Sequence, residues 1–417
     1  MRRIPGDVTV YGHKELAERL ARLTQIGIAL SSERDYDRLL DRILQEARDF
    51  THAEAGTLYC VEGKGLRIVA AQNDVLTQRD GDPNPSVLGL DNRLPFSSDS
   101  MAGHVGITGE VINLEDAYQI PDDRPYRFNP EFDKQNNYHS QSMFLVPLID
   151  PDGAILGVLQ LINARAPDGS TCPFDPQCED LVKSLASQAA VTLRNVRLTE
   201  QLRAAYADTI FRLSVAAEYK DEDTANHIRR MAHYAALIAQ AIGFDHDRTE
   251  MLLYASQMHD VGKIGVRESI LQKAGKLTPE EFEEMKQHTL LGARIFEDTE
   301  VPVLRMSATI ALTHHERYDG TGYPQGLRGE EIPIEGRIVA LADVFDALSS
   351  KRCYKPAFSI EKCLRILGEE RGRHFDPDLV SAFLSRLDDV LTIRDHYSST
   401  EDPTQVLERP RPESVPA

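Results

Sequence analysis

The sequence predicts a multidomain protein in which an α+β domain is followed by an all-α helical domain. Four short apolar runs predict strands, and helical segments lie at both ends of this group: TLYCV (57–61), LRIVAA (66–71), MFLVPLI (143–149) and AILGVLQLIN (154–163). From residue 205 to about residue 388, in contrast, nearly every segment has helical periodicity. A chain of 417 residues is also too long for one compact core.

The composition excludes some classes of function. Hydrophobic residues make up 41% and charged residues 27% of the chain, as in ordinary globular proteins. The net charge of −19 argues against non-specific binding to nucleic acid or to a membrane surface. An anionic substrate would therefore need a local basic cluster.

Targeting signals and cysteine usage indicate a cytoplasmic protein. Residues 1–20 contain two arginines but no apolar run after them, so we expect no secretory signal. No run approaches the roughly 18 apolar residues of a membrane span. The five cysteines are scattered, which is typical of a reducing compartment. Cys172 and Cys178 could form a redox or metal pair, but isolated thiols are the simpler interpretation, because no second pair completes a zinc site.

The first domain is expected over residues 21–198, after an N-terminal lead of residues 1–20. Apolar residues at helical spacing predict its opening helix: Leu39, Leu40, Ile43 and Leu44. Gly63 and Gly65 separate the first two strands, which indicates a hairpin. The Asp-Pro-Asp-Gly sequence at 150–153 is a strong turn signal between the last two strands.

This order of elements resembles a GAF domain. The resemblance is carried by GHVGITGEVIN (103–113), SMFLVPLI (142–149) and AILGVLQLIN, placed between a strand pair and a closing helix. It implies a small-molecule sensor with a ligand that the sequence does not identify. Cyclic-nucleotide-binding relatives carry Asn-Lys, Phe and Asp-Glu, where this chain has Asn163-Ala164, Phe174 and Cys178-Glu179. A packing or dimerisation module is the alternative interpretation.

One connecting helix is expected over residues 180–219, overlapping both domains. Its apolar residues form an imperfect stripe: Leu181, Leu185, Ala189, Val196, Leu202, Tyr206, Ile210 and Leu213. Part of the stripe would belong to the core of each domain, and part could pair with a second chain as a short coiled coil. We therefore expect a homodimer formed through the GAF domain and this helix, which could be a signalling helix or a structural connector.

Histidines and aspartates recur along the helical domain, expected over 205–390 before a disordered tail at 398–417. They are His227, His259, Asp260, His288, His314, His315 and Asp343. Intervals of roughly thirty residues allow each group to return to one region of a helical bundle. A lone helical histidine such as His288 is more often a satisfied side chain, but the adjacent pairs are hard to explain structurally. Imidazole together with carboxylate favours iron or manganese, so we expect a metal site.

The helical segment resembles the HD superfamily of phosphohydrolases, and within it the HD-GYP family. Five motifs occur in the family's order: HDVGKIGV, KLTPEEFEEMKQH, HHERYDGTGYPQGLRGEEIP, RIVALADVFDAL and HFDPDLV. The resemblance implies hydrolysis of cyclic di-GMP to linear pGpG or GMP by two or three divalent metal ions. It also implies that His314 and His315 bind metal and that the loop at 322–324 lies beside the substrate.

Several roles follow from the chemistry of such a site. Two neighbouring cations can activate water and clamp the phosphate under attack, and Asp260 is the natural bridging carboxylate. Lys263 could stabilise developing charge or protonate the leaving ribose oxygen. Arg352 and Lys355 match phosphate-holding positions of the family.

Three further residues have roles that the sequence leaves open. Tyr323 could stack on guanine or bind phosphate, and Asp346 could orient a metal ligand or bind guanine. Asp223 stands four residues before His227, where three-metal members of the family have glutamate, although a helix-capping role is the alternative. We expect a third, weaker metal site there, with GMP as end product and pGpG as intermediate.

The whole sequence thus predicts a cytoplasmic, metal-dependent cyclic di-GMP phosphodiesterase regulated by a GAF domain. One alternative is an HD phosphohydrolase acting on another nucleotide, which the Gly-Tyr-Pro loop argues against. The other is a non-catalytic cyclic di-GMP receptor or interaction protein, which loss of a metal ligand would favour. The core ligands are all present in this sequence.

Overall fold

A computed structural model describes residues 21, 24–30, 32–33, 35–80, 93–219, 225–273, 275–350 and 357–397. The chain divides into two compact units, Met1–Gln201 and Leu202–Ala417. The predicted N-terminal lead, the tail and three predicted site residues lie outside the described residues: Asp223, Arg352 and Lys355.

The first unit is built on an antiparallel sheet. Its strands are β1 (Ala53–Glu62), β2 (Gly65–Asn73), β3 (Arg93–Pro95), β4 (Ile112–Leu114), β5 (Met143–Ile149), β6 (Ile155–Arg165) and β7 (Thr171–Cys172). They lie in the order β3-β2-β1-β6-β5-β4, and β7 pairs with β6. The two predicted hairpins are present as β1–β2 and β5–β6.

Helices cover both faces of this sheet. They are α1 (Tyr36–Thr51), α2 (Asp74–Asp80), α3 (Met101–Thr108) and α4 (Glu131–Asn136). Because successive strand residues point to opposite faces, Leu58 packs with α1 whereas Tyr59 packs with α3. Asp35 caps α1 by accepting a hydrogen bond from the backbone N–H of Arg38.

A single helix, α5 (Glu179–Glu218), extends over 40 residues and contains the boundary between the two units. Leu185 and Ala189 are buried in the core of the first unit. Further along, the large apolar side chains of Leu202 and Leu213 are 71% and 62% exposed. The helix is thus core only in part.

The described residues of the second unit form helices and no strand. They are α6 (Ala225–Ala241), α7 (His246–Ser256), α8 (Glu268–Leu271), α9 (Pro279–Ile295), α10 (Pro302–Thr313), α11 (Ile334–Ser349), α12 (Ile360–Glu369), α13 (Pro377–Ser385) and α14 (Leu387–His396), with short 3₁₀ turns between some of them. Their core includes Tyr234, Phe345 and Phe383, each fully buried. Within the described part of the chain, every helix is too short or too polar to cross a bilayer.

Candidate metal centre

The predicted ligands converge from separate helices of the second unit. One set contains Asp260, His288, His314 and His315, and a second contains His227, His259 and Asp343. In each set the potential ligand atoms lie within 4.8 Å of one another. The spacing of these residues along the sequence predicts that their imidazole and carboxylate groups lie in one region of the helical unit.

Small residues allow the turn that carries His259 and Asp260, helix α9 and helix α10 to approach one another closely. A Cβ atom at Gly262 would lie 1.9 Å from the His288 carbonyl oxygen and 2.4 Å from the Gly292 nitrogen. At Gly292 a Cβ atom would lie 3.0 Å from the Ala311 Cβ atom. Since only glycine fits at Gly262, the turn carrying His259 and Asp260 can pack against α9. Helix α7 ends at Ser256, and a 3₁₀ turn follows at Val261–Gly265.

Asp260 lies between the two sets of ligands. Its Oδ1 atom is 3.3 Å from His288 Nε2 and 3.5 Å from His314 Nε2. Its Oδ2 atom is 3.2 Å from His259 Nε2 and 2.8 Å from Lys263 Nζ. Burial opposes ionisation, but the charge of Lys263 holds the pKa of Asp260 well below its usual range. The carboxylate is thus placed to join two cations.

Three of the histidine rings direct their Nε2 atom towards the candidate metal centre. The Nδ1 atoms of His259 and His288 lie 3.1 Å and 2.7 Å from the backbone carbonyl oxygens of Ser256 and Met285. His314 Nδ1 lies 3.0 Å from the Ile310 carbonyl oxygen. A carbonyl oxygen only accepts, so Nδ1 carries a proton, and in the neutral ring Nε2 then carries the lone pair that a metal needs.

Several of these atoms lie 3.2–3.5 Å from one another but make no hydrogen bond of acceptable geometry among the described residues. They are buried and comprise His259 Nε2, Asp260 Oδ1, His288 Nε2 and His314 Nε2. A buried polar atom left unsatisfied costs about 1–3 kcal/mol, so four at one point would be unfavourable without a cation. Burial also lowers the pKa of His288 to about 4, which keeps that imidazole neutral. The donor set therefore fits divalent metal ions such as iron or manganese.

Asp346 lies behind His227. Its Oδ2 atom is 2.8 Å from His227 Nδ1, and Arg230 donates to both carboxylate oxygens at 2.6 and 2.8 Å. Asp346 is only 1% exposed, so its position favours the orienting role over contact with guanine. This partner holds His227 with Nε2 directed towards Asp343, 3.7 Å away.

We expect Asp346→Asn to weaken metal binding at His227 about 10–100-fold, because partners of this kind orient a ligand. A Mn²⁺ titration followed by calorimetry would measure the loss. Asp376→Asn is the matched control, since Asp376 is also buried and also pairs with an arginine, Arg337, at 2.6 Å, outside both ligand sets. Equal Mn²⁺ affinities in wild type and Asp346→Asn would contradict the assignment.

The Gly-Tyr-Pro loop lies against the histidine pair. The Tyr323 ring centroid is 4.8 Å from that of His315, and the Tyr323 N–H donates to the His315 carbonyl oxygen. Glu316, 2% exposed, accepts backbone N–H bonds at 2.7–3.2 Å from the loop residues 325, 326 and 327. The sequence analysis missed this role of Glu316, although an acid directly after two histidines in a turn-rich segment was a usable signal.

A second carboxylate that the sequence analysis missed is Glu218, the last residue of α5. Its ligand atom lies within 4.8 Å of those of His259 and Asp260, and the side chain is buried. The helical register was the available signal, since Phe211, Ser214 and Glu218 recur on one buried face.

Comparisons with known proteins agree with this architecture. Residues 35–193 match the model of the GAF domain family, and residues 213–379 match that of the HD domain family. The first unit thus matches the GAF domain family, and the helical unit with its candidate metal centre matches the HD domain family. The predicted fold class, an α+β GAF domain followed by an all-α HD-type domain, is confirmed.

Several named proteins are similar in sequence to part of this chain. The cyclic di-GMP phosphodiesterase response regulator RpfG of Xanthomonas campestris pv. campestris is 41% identical over 215 residues, 50% of this chain and 57% of that protein. A cyclic di-GMP phosphodiesterase of Thermotoga maritima is 43% identical, covering 45% and 52%. The 3′3′-cGAMP-specific phosphodiesterase 2 of Vibrio cholerae serotype O1 is 39% identical, covering 53% and 43%. The chain spans about half the length of these relatives.

Proposed function

We propose that this chain is a metal-dependent phosphodiesterase that hydrolyses cyclic di-GMP to pGpG and on to GMP. The observation that carries the proposal is Asp260, whose two oxygens face two sets of ligand atoms. The names of the relatives from Xanthomonas and Thermotoga support the choice of substrate.

Two metal positions follow from the two ligand sets. His227, His259, Asp260 and Asp343 would hold one ion, and Asp260, His288, His314 and His315 would hold the other, with iron or manganese as the expected metals. When bound, such a pair of ions activates water and neutralises the charge of the phosphate under attack.

The chain's own groups complete the site. Lys263 Nζ lies 2.8 Å from Asp260 Oδ2, and its side chain is 13% exposed. In this position the ammonium can hold the Asp260 carboxylate ionised and donate a proton to the leaving ribose oxygen. Tyr323, packed on the His315 ring, would provide a flat surface for a guanine base.

The test is direct. Purified protein loaded with Mn²⁺ or Fe²⁺ would be incubated with cyclic di-GMP, and the products separated by chromatography. We expect pGpG first and GMP later. Binding without turnover would favour a receptor instead. Faster cleavage of 3′3′-cGAMP would assign the specificity of the Vibrio relative, and cleavage of linear nucleotides alone would indicate another HD phosphohydrolase.

Phosphate recognition is proposed for Arg352 and Lys355, which lie outside the described residues. We expect Arg352→Ala and Lys355→Ala to raise KM about 5–100-fold with metal content unchanged, since a charged contact to phosphate contributes about 1–3 kcal/mol. Steady-state kinetics and metal analysis would measure both effects. Arg365→Ala, at an exposed position of α12, is the control. Reduced metal content with unchanged KM would place these residues at the metals instead.

A third, weaker metal ion is proposed at Asp223, also outside the described residues. Its position four residues before His227 supports this proposal. The same metal analysis applies: two ions per chain at saturating Mn²⁺, with pGpG as sole product, would contradict it.

We also propose a cytoplasmic homodimer, regulated by a small molecule bound to the GAF domain. The exposed apolar side chains of Leu198, Leu202, Tyr206 and Leu213 on α5 support pairing with a second copy. Sedimentation of the full chain at micromolar concentration tests this, and a monomer would contradict it.

A further inference from the structure

Glu218 ends α5 with a buried carboxylate. The residue is 2% exposed, and its Oε2 atom has no hydrogen-bond partner in the described part of the chain. Burying a carboxylate oxygen without a hydrogen-bond partner is costly, and either protonation of the carboxyl group or a neighbouring cation offsets this cost. The Oε2 atom of Glu218 is therefore available to a cation.

Two groups of the candidate metal centre lie close to Glu218. The ligand atoms of Glu218, His259 and Asp260 lie within 4.8 Å of one another. The ammonium of Lys263 lies 2.8 Å from Asp260 Oδ2, so it already neutralises that carboxylate. A cation at the unsatisfied Nε2 atom of His259 would be within reach of Glu218 as well.

His259 limits how many ions can be involved. Its Nδ1 atom is bonded to the Ser256 carbonyl oxygen, which leaves one lone pair, on Nε2. One lone pair binds one metal ion. Because the set containing Glu218 and the set containing His227 and Asp343 both include His259, an ion bound at His259 Nε2 would be common to the two sets.

We propose that Glu218 is a further ligand of the metal ion at His259. The proposal rests on the metal centre of the proposed function. It gives that ion three carboxylates, from Glu218, Asp260 and Asp343, whereas the other ion has three imidazoles and one carboxylate. Oxygen-rich sites favour manganese and imidazole-rich sites favour iron, so the two positions differ in metal preference.

The test uses Mn²⁺ alone, without nucleotide. The full chain, Glu218→Gln and Ser214→Ala would be titrated by calorimetry, and Tm would be measured with and without Mn²⁺. We expect Glu218→Gln to lose at least about tenfold in affinity at one position and to show a smaller Mn²⁺-induced rise in Tm. Ser214, 1% exposed and one turn earlier on α5, controls for helix packing and should behave as wild type.

Equal Mn²⁺ affinity and an equal rise in Tm in Glu218→Gln would overturn the proposal. If this variant does not fold, anomalous diffraction from Mn²⁺-loaded wild-type crystals decides, because a Glu218 carboxylate outside coordination distance of both ions would also overturn it. Neither readout involves hydrolysis. A wild type that binds Mn²⁺ through Glu218 but leaves cyclic di-GMP intact would refute only the proposed function.

Discussion

Asp260→Ala is expected to lower the hydrolysis rate at least about a hundredfold, which corresponds to about 2.7 kcal/mol of transition-state stabilisation. The two Asp260 oxygens face the two ligand sets, so the change would remove a ligand from both proposed ions at once. It would also leave two cations without the negative charge between them. Metal analysis should show reduced occupancy, and chromatography of products should show the loss of rate.

The fold should survive this change. The apolar core of the helical unit is formed by other residues, among them Tyr234, Phe345 and Phe383, so circular dichroism should be unaltered. Asp247→Ala, at an exposed position of α7, is the control and should keep the parent rate. An Asp260→Ala protein that binds its metals and cleaves substrate like the parent would refute the bridging role.

Gly322→Ala is expected to reduce kcat/KM about 10–100-fold through a shift of the Gly-Tyr-Pro loop. An added Cβ would lie 2.3 Å from the Arg317 nitrogen and 2.5 Å from the Glu316 Cα atom. Both are backbone atoms, so the segment after His315 must move. A misplacement of about 1 Å can cost about a hundredfold in rate. Overpacking of this kind also costs about 1–3 kcal/mol in the free energy of unfolding.

Gly368→Ala is the matched control for this substitution. Gly368 lies in α12, and a Cβ there would meet no atom within 4 Å. Alanine also has the higher helix propensity, so we expect the same activity and a slightly higher Tm. Kinetics and thermal unfolding of both variants separate displacement of the loop from loss of stability. Parent kinetics in Gly322→Ala would show that the loop does not position the site.

The fold class was predictable because short apolar runs separated by turn residues give way to helical periodicity along the chain. The core ligands were predictable too, since adjacent pairs such as His259-Asp260 have few structural explanations. Glu218 was harder to predict: the helical register gave a signal, but a single acid at the end of an amphipathic helix is usually solvated, and tertiary packing is what buries it. The choice between the two roles of Asp346 likewise depended on its hydrogen-bond partner Arg230, which lies 116 residues away in the sequence.

The position of Glu218 at the end of α5 has a consequence for the proposed metal ion. At about 1.5 Å per residue, the 40 residues of α5 extend over about 60 Å along the helix axis, and Glu218 is the last of them. Each residue turns the helix by about 100°, so the direction of the Glu218 carboxylate depends on the rotation of the last turns of α5. If Glu218 binds the ion at His259, unwinding of this end of the helix would open one coordination position of that ion, without any change in the other ligands.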